Sequence, residues 1–127
     1  MIYSDLLRQV LLASTALIFV AFAGWALLKP DSLAKVLGYQ LSLPNGASEF
    51  GAIYVGVFLA QALLFAFALF RVHDAIIGDI CAVFLLAQPL GRIMPMIAHG
   101  APNGMLKALV LLEIFGAVAL LSVRPLP

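Results

Sequence analysis

A chain of 127 residues in which 65% are hydrophobic and only 10% charged cannot clothe a water-soluble globule, because such a domain carries about 25% charged residues. Its net charge of +1 leaves no clustered basic face, which excludes nucleic acid as a partner. The one cysteine, Cys81, excludes an intrachain disulfide, and His73 and His99 stand too far apart for metal-ligand spacing, so no metal and no cofactor is expected. Phosphate loops, dinucleotide-binding glycine turns and metalloprotease helices are absent, and no catalytic residue is assigned.

The first apolar run, Gln9–Leu28, is uncharged throughout and is bounded by Arg8 and by Lys29-Pro30. At about 1.5 Å of rise per residue it covers a hydrocarbon core of roughly 30 Å. Ala21-Phe22-Ala23 has the small-x-small form of a signal-peptide cleavage site, but Trp25, Leu27 and Leu28 carry the run past it, so a retained helix is expected. In Pro30–Ser48, Pro30 with Asp31 suits the first turn of a short helix and Gly38 its end. Leu33, Val36 and Leu37 would share one face, giving either an amphipathic helix in the headgroup region or an ordered loop packed over the helix ends. Pro44-Asn45-Gly46 is a turn, and Ser48 can cap the helix that follows.

The second run, Phe50–Phe70, opens on Glu49 and closes on Arg71. Ala52, Gly56 and Ala60 recur every four residues, a small-residue stripe expected to face another helix of the same chain. Arg71–Asp74 is so tight that the second and third helices must be antiparallel neighbours, with Asp74 as N-cap of the third. Asp79 lies one turn inside the third run, Ala75–Ala98, where it reaches headgroup water. At about 100° per residue it points more than half a turn away from Arg92, so those two do not pair. Pro89 and Pro95 disturb the end of this run, where Gln88 and Arg92 share a face. The fourth run, Met105–Val123, carries Lys107 near its start and Glu113 further in. Trp25, Tyr39 and Tyr54 read as interfacial anchors, Cys81 as a small packing residue. The expected architecture is all-α, a single domain of four antiparallel transmembrane helices over about 6–28, 49–70, 75–98 and 104–123, with a short interfacial helix between the first two.

The polar residues at the end of the third helix are the informative ones. Acyl chains cannot solvate a guanidinium, so Arg92 needs partners within the protein. Alternating helices put the start of the second, the end of the third and the start of the fourth on one membrane side. By helical rise Arg92 lies roughly 9 Å and Glu113 about 12–15 Å inside that side. Glu49, Gln88, Arg92, His99 and Glu113 are therefore expected to converge in one half of the bundle, with Arg92 contacting Glu49, Glu113 or both. Such a network either fixes helix register or marks a functional site.

Several of these marks together resemble a known family. Pro30, Leu37-Gly38, Asn45 ahead of Glu49, Tyr54 and Gly56, Gly91-Arg92, Gly100-x-Pro102 and Glu113 run in the order found in a bacterial family of small four-helix membrane proteins, catalogued only as a domain of unknown function. The resemblance implies that Glu49, Arg92 and Glu113 are polar positions of the family, and it implies no activity. The chain departs from it at Phe50-Gly51-Ala52, where an arginine is expected, and at His99, where an acid is expected.

The functional expectation is a multi-pass protein of the bacterial inner membrane with cytoplasmic termini, surrounded by membrane lipid. Its polar core would bind a lipid-like, lipophilic ligand, or the protein would be the accessory subunit of a membrane complex. Two alternatives stand beside a non-catalytic role. One is an acid/base enzyme on a lipophilic substrate, with Glu113 or Glu49 shuttling the proton and Arg92 stabilising charge. The other is a homodimeric transporter with Glu113 as its coupling carboxylate.

Overall fold

The computed structural model describes residues 1–127 and is all-α apart from one short strand pair. Strand β1 (Ile2–Tyr3) leads into α1 (Asp5–Leu28), then α2 (Pro30–Leu37) and α3 (Asn45–Gly51). A π-helical segment, Ala52–Val57, joins α3 to α4 (Phe58–Phe70), so that Asn45–Phe70 forms one span. There follow α5 (Ala75–Gly91), α6 (Ile93–His99), α7 (Gly104–Ser122) and strand β2 (Val123–Arg124). Four helices, Asp5–Leu28, Asn45–Phe70, Ala75–His99 and Gly104–Ser122, are long and apolar enough to cross a membrane.

Local signals set most of the boundaries. The Ser4 hydroxyl accepts from the Leu7 N–H and the Asp74 carboxylate from the Ile76 N–H, each satisfying a donor that a helix N-terminus leaves open. Pro30 opens α2, and Gly38, at φ 86°, ends it in the left-handed region that favours glycine. Its buried face is Leu33 and Ala34, packed on Ala26 and Phe50, while Val36 is exposed. The interfacial helix thus exists and also covers the end of the assembly. The second span starts at Asn45, ahead of the expected boundary, so Ser48 lies inside α3 and caps nothing. The third span breaks at Arg92, which separates α5 from α6 and leaves Pro95 in the first turn of α6, where a missing N–H costs no helical bond.

Packing divides the long helices into two close pairs, α1 with α4 and α5 with α7, while α1 and α7 touch only sparsely. The first pair is knitted by Leu12, Phe19 and Ala23 against Phe58, Ala62 and Phe65. Phe19 meets Phe58 edge-on at 5.0 Å between ring centroids. In the second pair Cys81, Ala82 and Leu85 join Ala117 and Leu120. The stripe Ala52, Gly56 and Ala60 does not face another helix: all three are exposed, and the span turns Phe58, Ala62 and Phe65 inward instead. The wide π-helical turn shifts the angular position of every residue that follows it, which a four-residue repeat read on an ideal helix cannot register.

Candidate functional site

Two arginine centres lie at opposite ends of the sparse seam between α1 and α7. At the chain termini, Arg8 is only 1% exposed. Its Nη1 donates to the carbonyls of Leu120 (2.8 Å) and Val123 (2.6 Å), which the end of α7 leaves without helical partners. Its Nη2 donates to the Ala75 carbonyl at 3.0 Å and to Asp79 Oδ1 at 3.3 Å. Gly78 makes room for this: a Cβ there would collide with the Arg8 guanidinium. Asp79 Oδ1 also accepts from Arg124 Nη1 at 2.7 Å, and this hydrogen bond holds the Arg124 guanidinium above its ordinary pKa. Parallel pairing of β1 with β2, the Ser4 N–H on the Arg124 carbonyl (3.0 Å) and the Leu126 N–H on Asp5 (2.8 Å) complete the closure. Asp79 is therefore engaged by two arginines while its side chain stays partly exposed.

Above this closure the seam opens into a cavity of about 290 Å³. Ser14, Thr15, Ile18 and Phe22 of α1 form one wall, and Leu109, Leu112, Glu113 and Gly116 of α7 the other. Leu85 and Gln88 of α5, with Arg92 at its end, supply the back, while Leu37 of α2 and Tyr54 bound it towards the helix ends. The rim residues Ile18, Leu112 and Phe115 are exposed on the outer surface, so the cavity opens sideways between α1 and α7. On the α7 wall, a Cβ on Gly116 would sit 3.4 Å from the Leu85 side chain of α5.

Within the cavity Arg92 Nη1 pairs with Glu113 Oε2 at 2.5 Å, their side chains 27% and 16% exposed. This is the arginine's one ion pair and its one side-chain hydrogen bond. A guanidinium carries five N–H donors, so the remaining donors and Glu113 Oε1 stand open beside the cavity. Gln88 lines the same space with its amide free of protein partners. The Tyr54 hydroxyl pairs with that of Tyr39 at 3.3 Å, and Thr15 is turned back onto the Leu11 carbonyl.

Of the five residues expected to converge, the structure brings together Gln88, Arg92 and Glu113. Glu49 does not join them. It is exposed and lines a separate hollow with Tyr39, Gln40 and Phe50, which shares Tyr54 with the main cavity. The earlier start of α3 places Glu49 one turn inside the helix, on its outer side. His99 is also apart, exposed at the end of α6 with its side chain in no hydrogen bond or ion pair. Sequence reasoning missed Arg8, which stands where a flanking charge is ordinary. The glycine-acid pair Gly78-Asp79, one turn into the third run, was the available signal. It also missed Gln61, buried in α4 with Oε1 unpartnered. No group of three or more His, Cys, Asp or Glu side chains is arranged to hold a metal.

An all-α chain with four apolar helices of spanning length is that of a membrane protein, and it carries one arginine enclosed by protein and one arginine–carboxylate pair beside a cavity. A family model described as a domain of unknown function, DUF4345, matches residues 7–123, and the chain belongs to that family. No curated protein and no solved structure matches it.

Proposed function

We propose that this protein is a non-catalytic membrane protein that holds a lipophilic small molecule in the cavity between α1 and α7, with the Arg92–Glu113 pair meeting the ligand's polar group. The observation that carries this reading is the single protein partner of Arg92. In hydrocarbon every open donor costs free energy unless an acceptor meets it, and an apolar cavity with a few convergent polar groups is the usual form of a small-molecule site. A sideways opening suits a molecule that arrives dissolved in the bilayer. The family resemblance supports a bacterial inner membrane, and an even number of spans puts both termini on one side of it, which this reading assigns to the cytoplasm.

Native mass spectrometry of the gently solubilised full chain tests the reading. The expected result is a monomer or dimer carrying one small lipophile per chain, released on activation. A bare chain, stable and free of adducts from several mild detergents, would overturn it. A co-purifying protein bound at the α1–α7 rim in place of a small molecule would favour the accessory subunit instead.

A further inference from the structure

The charge balance of the cavity says which ligands it admits. Arg92 and Glu113 form an ion pair that sums to zero, and no third charged side chain lines the walls. A ligand bringing a formal charge would add an uncompensated charge to an apolar enclosure, where burial of an unpaired ion is costly. The hydrogen-bonding inventory points the same way. Arg92 offers unfilled donors, Glu113 Oε1 is an unfilled acceptor, and the Gln88 amide can serve as either. A hydroxyl accepts from the guanidinium while donating to the carboxylate, and a carbonyl accepts from the guanidinium and the amide. Size sets the third condition. About 290 Å³ lies just below the roughly 300–1,000 Å³ range of ligand sites, so the cavity takes one chain or one ring and does not enclose a diacyl lipid.

Resting on the reading of the cavity as a ligand site, we propose that it selects an uncharged, single-chain or single-ring lipophile with a hydroxyl or carbonyl head, such as a long-chain alcohol or a quinone-type ring. Charged amphiphiles of the same length are rejected because the site already contains one cation and one anion.

The test uses the full chain in phosphatidylcholine nanodiscs, with native mass spectrometry reporting occupancy. The probes are dodecanol, a decyl-substituted benzoquinone, laurate held ionised, and dodecyltrimethylammonium. Dodecanol and the quinone are expected to bind saturably, about tenfold or more tighter than either ion. In Glu113→Gln the ligand carboxylate can take the place of the missing one on Arg92, so laurate should bind about tenfold or more tighter than it does to the unaltered chain. The probe series on the unaltered chain decides the matter even if that variant does not fold. Ionised laurate or the ammonium binding as well as dodecanol would overturn the proposed selectivity and leave a ligand site in place. Saturable binding of none of the four, with no retained molecule, would overturn the ligand site itself.

Discussion

Arg8 and Arg92 are both guanidiniums inside an apolar protein, and they are solved in opposite ways. Arg8 has four protein acceptors, a glycine that makes space for it, and essentially no exposure. Arg92 has one carboxylate and a cavity. A saturated arginine ties elements together: Arg8 joins the start of α1 to the close α5–α7 pair, at the end of α7 and the first turns of α5, across the sparse α1–α7 seam. An unsaturated arginine at a hollow is a place for something else to bind. The difference between them is the reason for reading one as structural and for proposing a ligand at the other.

The contrast can be broken most forcefully at the sealed end. Arg8→Met is expected to destabilise the protein by about 3–5 kcal/mol, the range for removing one partner of a buried charge network. It strands the carbonyls of Leu120 and Val123 and leaves Asp79 with Arg124 alone. Thermal unfolding in detergent would read this as a large fall in Tm. Gly78→Ala should cost about 1–3 kcal/mol, because its Cβ forces the guanidinium out of place. An alanine variant as stable as the parent would mean that Arg8 has other room to move.

At the open end the pattern inverts. Arg92→Gln should cost about 1–3 kcal/mol, less than Arg8→Met, since it leaves one carboxylate, Glu113, without its partner where Arg8→Met strands several acceptors. Occupancy by a retained lipophile should nevertheless disappear in the same variant, measured by native mass spectrometry. The smallest effect belongs to His73, which sits 3.7 Å from Asp5 but is 74% exposed. His73→Ala should stay within about 0.5 kcal/mol, as solvated pairs of this kind do.

How much of this was legible in the sequence varied with the physics behind each feature. The four spans were legible because length and apolarity alone decide them, and Asp74, Pro30 and Gly38 act through local backbone chemistry. The Arg92–Glu113 pairing followed from helical rise and from the intolerance of hydrocarbon for a lone charge. Facing was not legible. A helix that is apolar all round has no solvent side to reveal its protein side, so the Ala52, Gly56 and Ala60 stripe could not be told from a packing face. Nor was Arg8 legible as a core residue, because its acceptors lie 67 to 115 positions away along the chain. A charge at a helix mouth normally belongs to the headgroup layer. Glu49 failed for a third reason: moving the helix start to Asn45 shifted its depth and its direction together.

The central claim, that one arginine is filled by protein and the other is open to a guest, is tested most directly by NMR of the protein labelled with 15N-arginine in nanodiscs. Arg8→Lys and Arg92→Lys would assign the guanidinium signals. On titration with dodecanol the Arg92 Nη signals should move saturably and their N–H exchange should slow, while the Arg8 signals stay fixed and protected from the outset. Arg92 signals that are already protected and do not respond, or Arg8 signals that shift with the ligand, would contradict it.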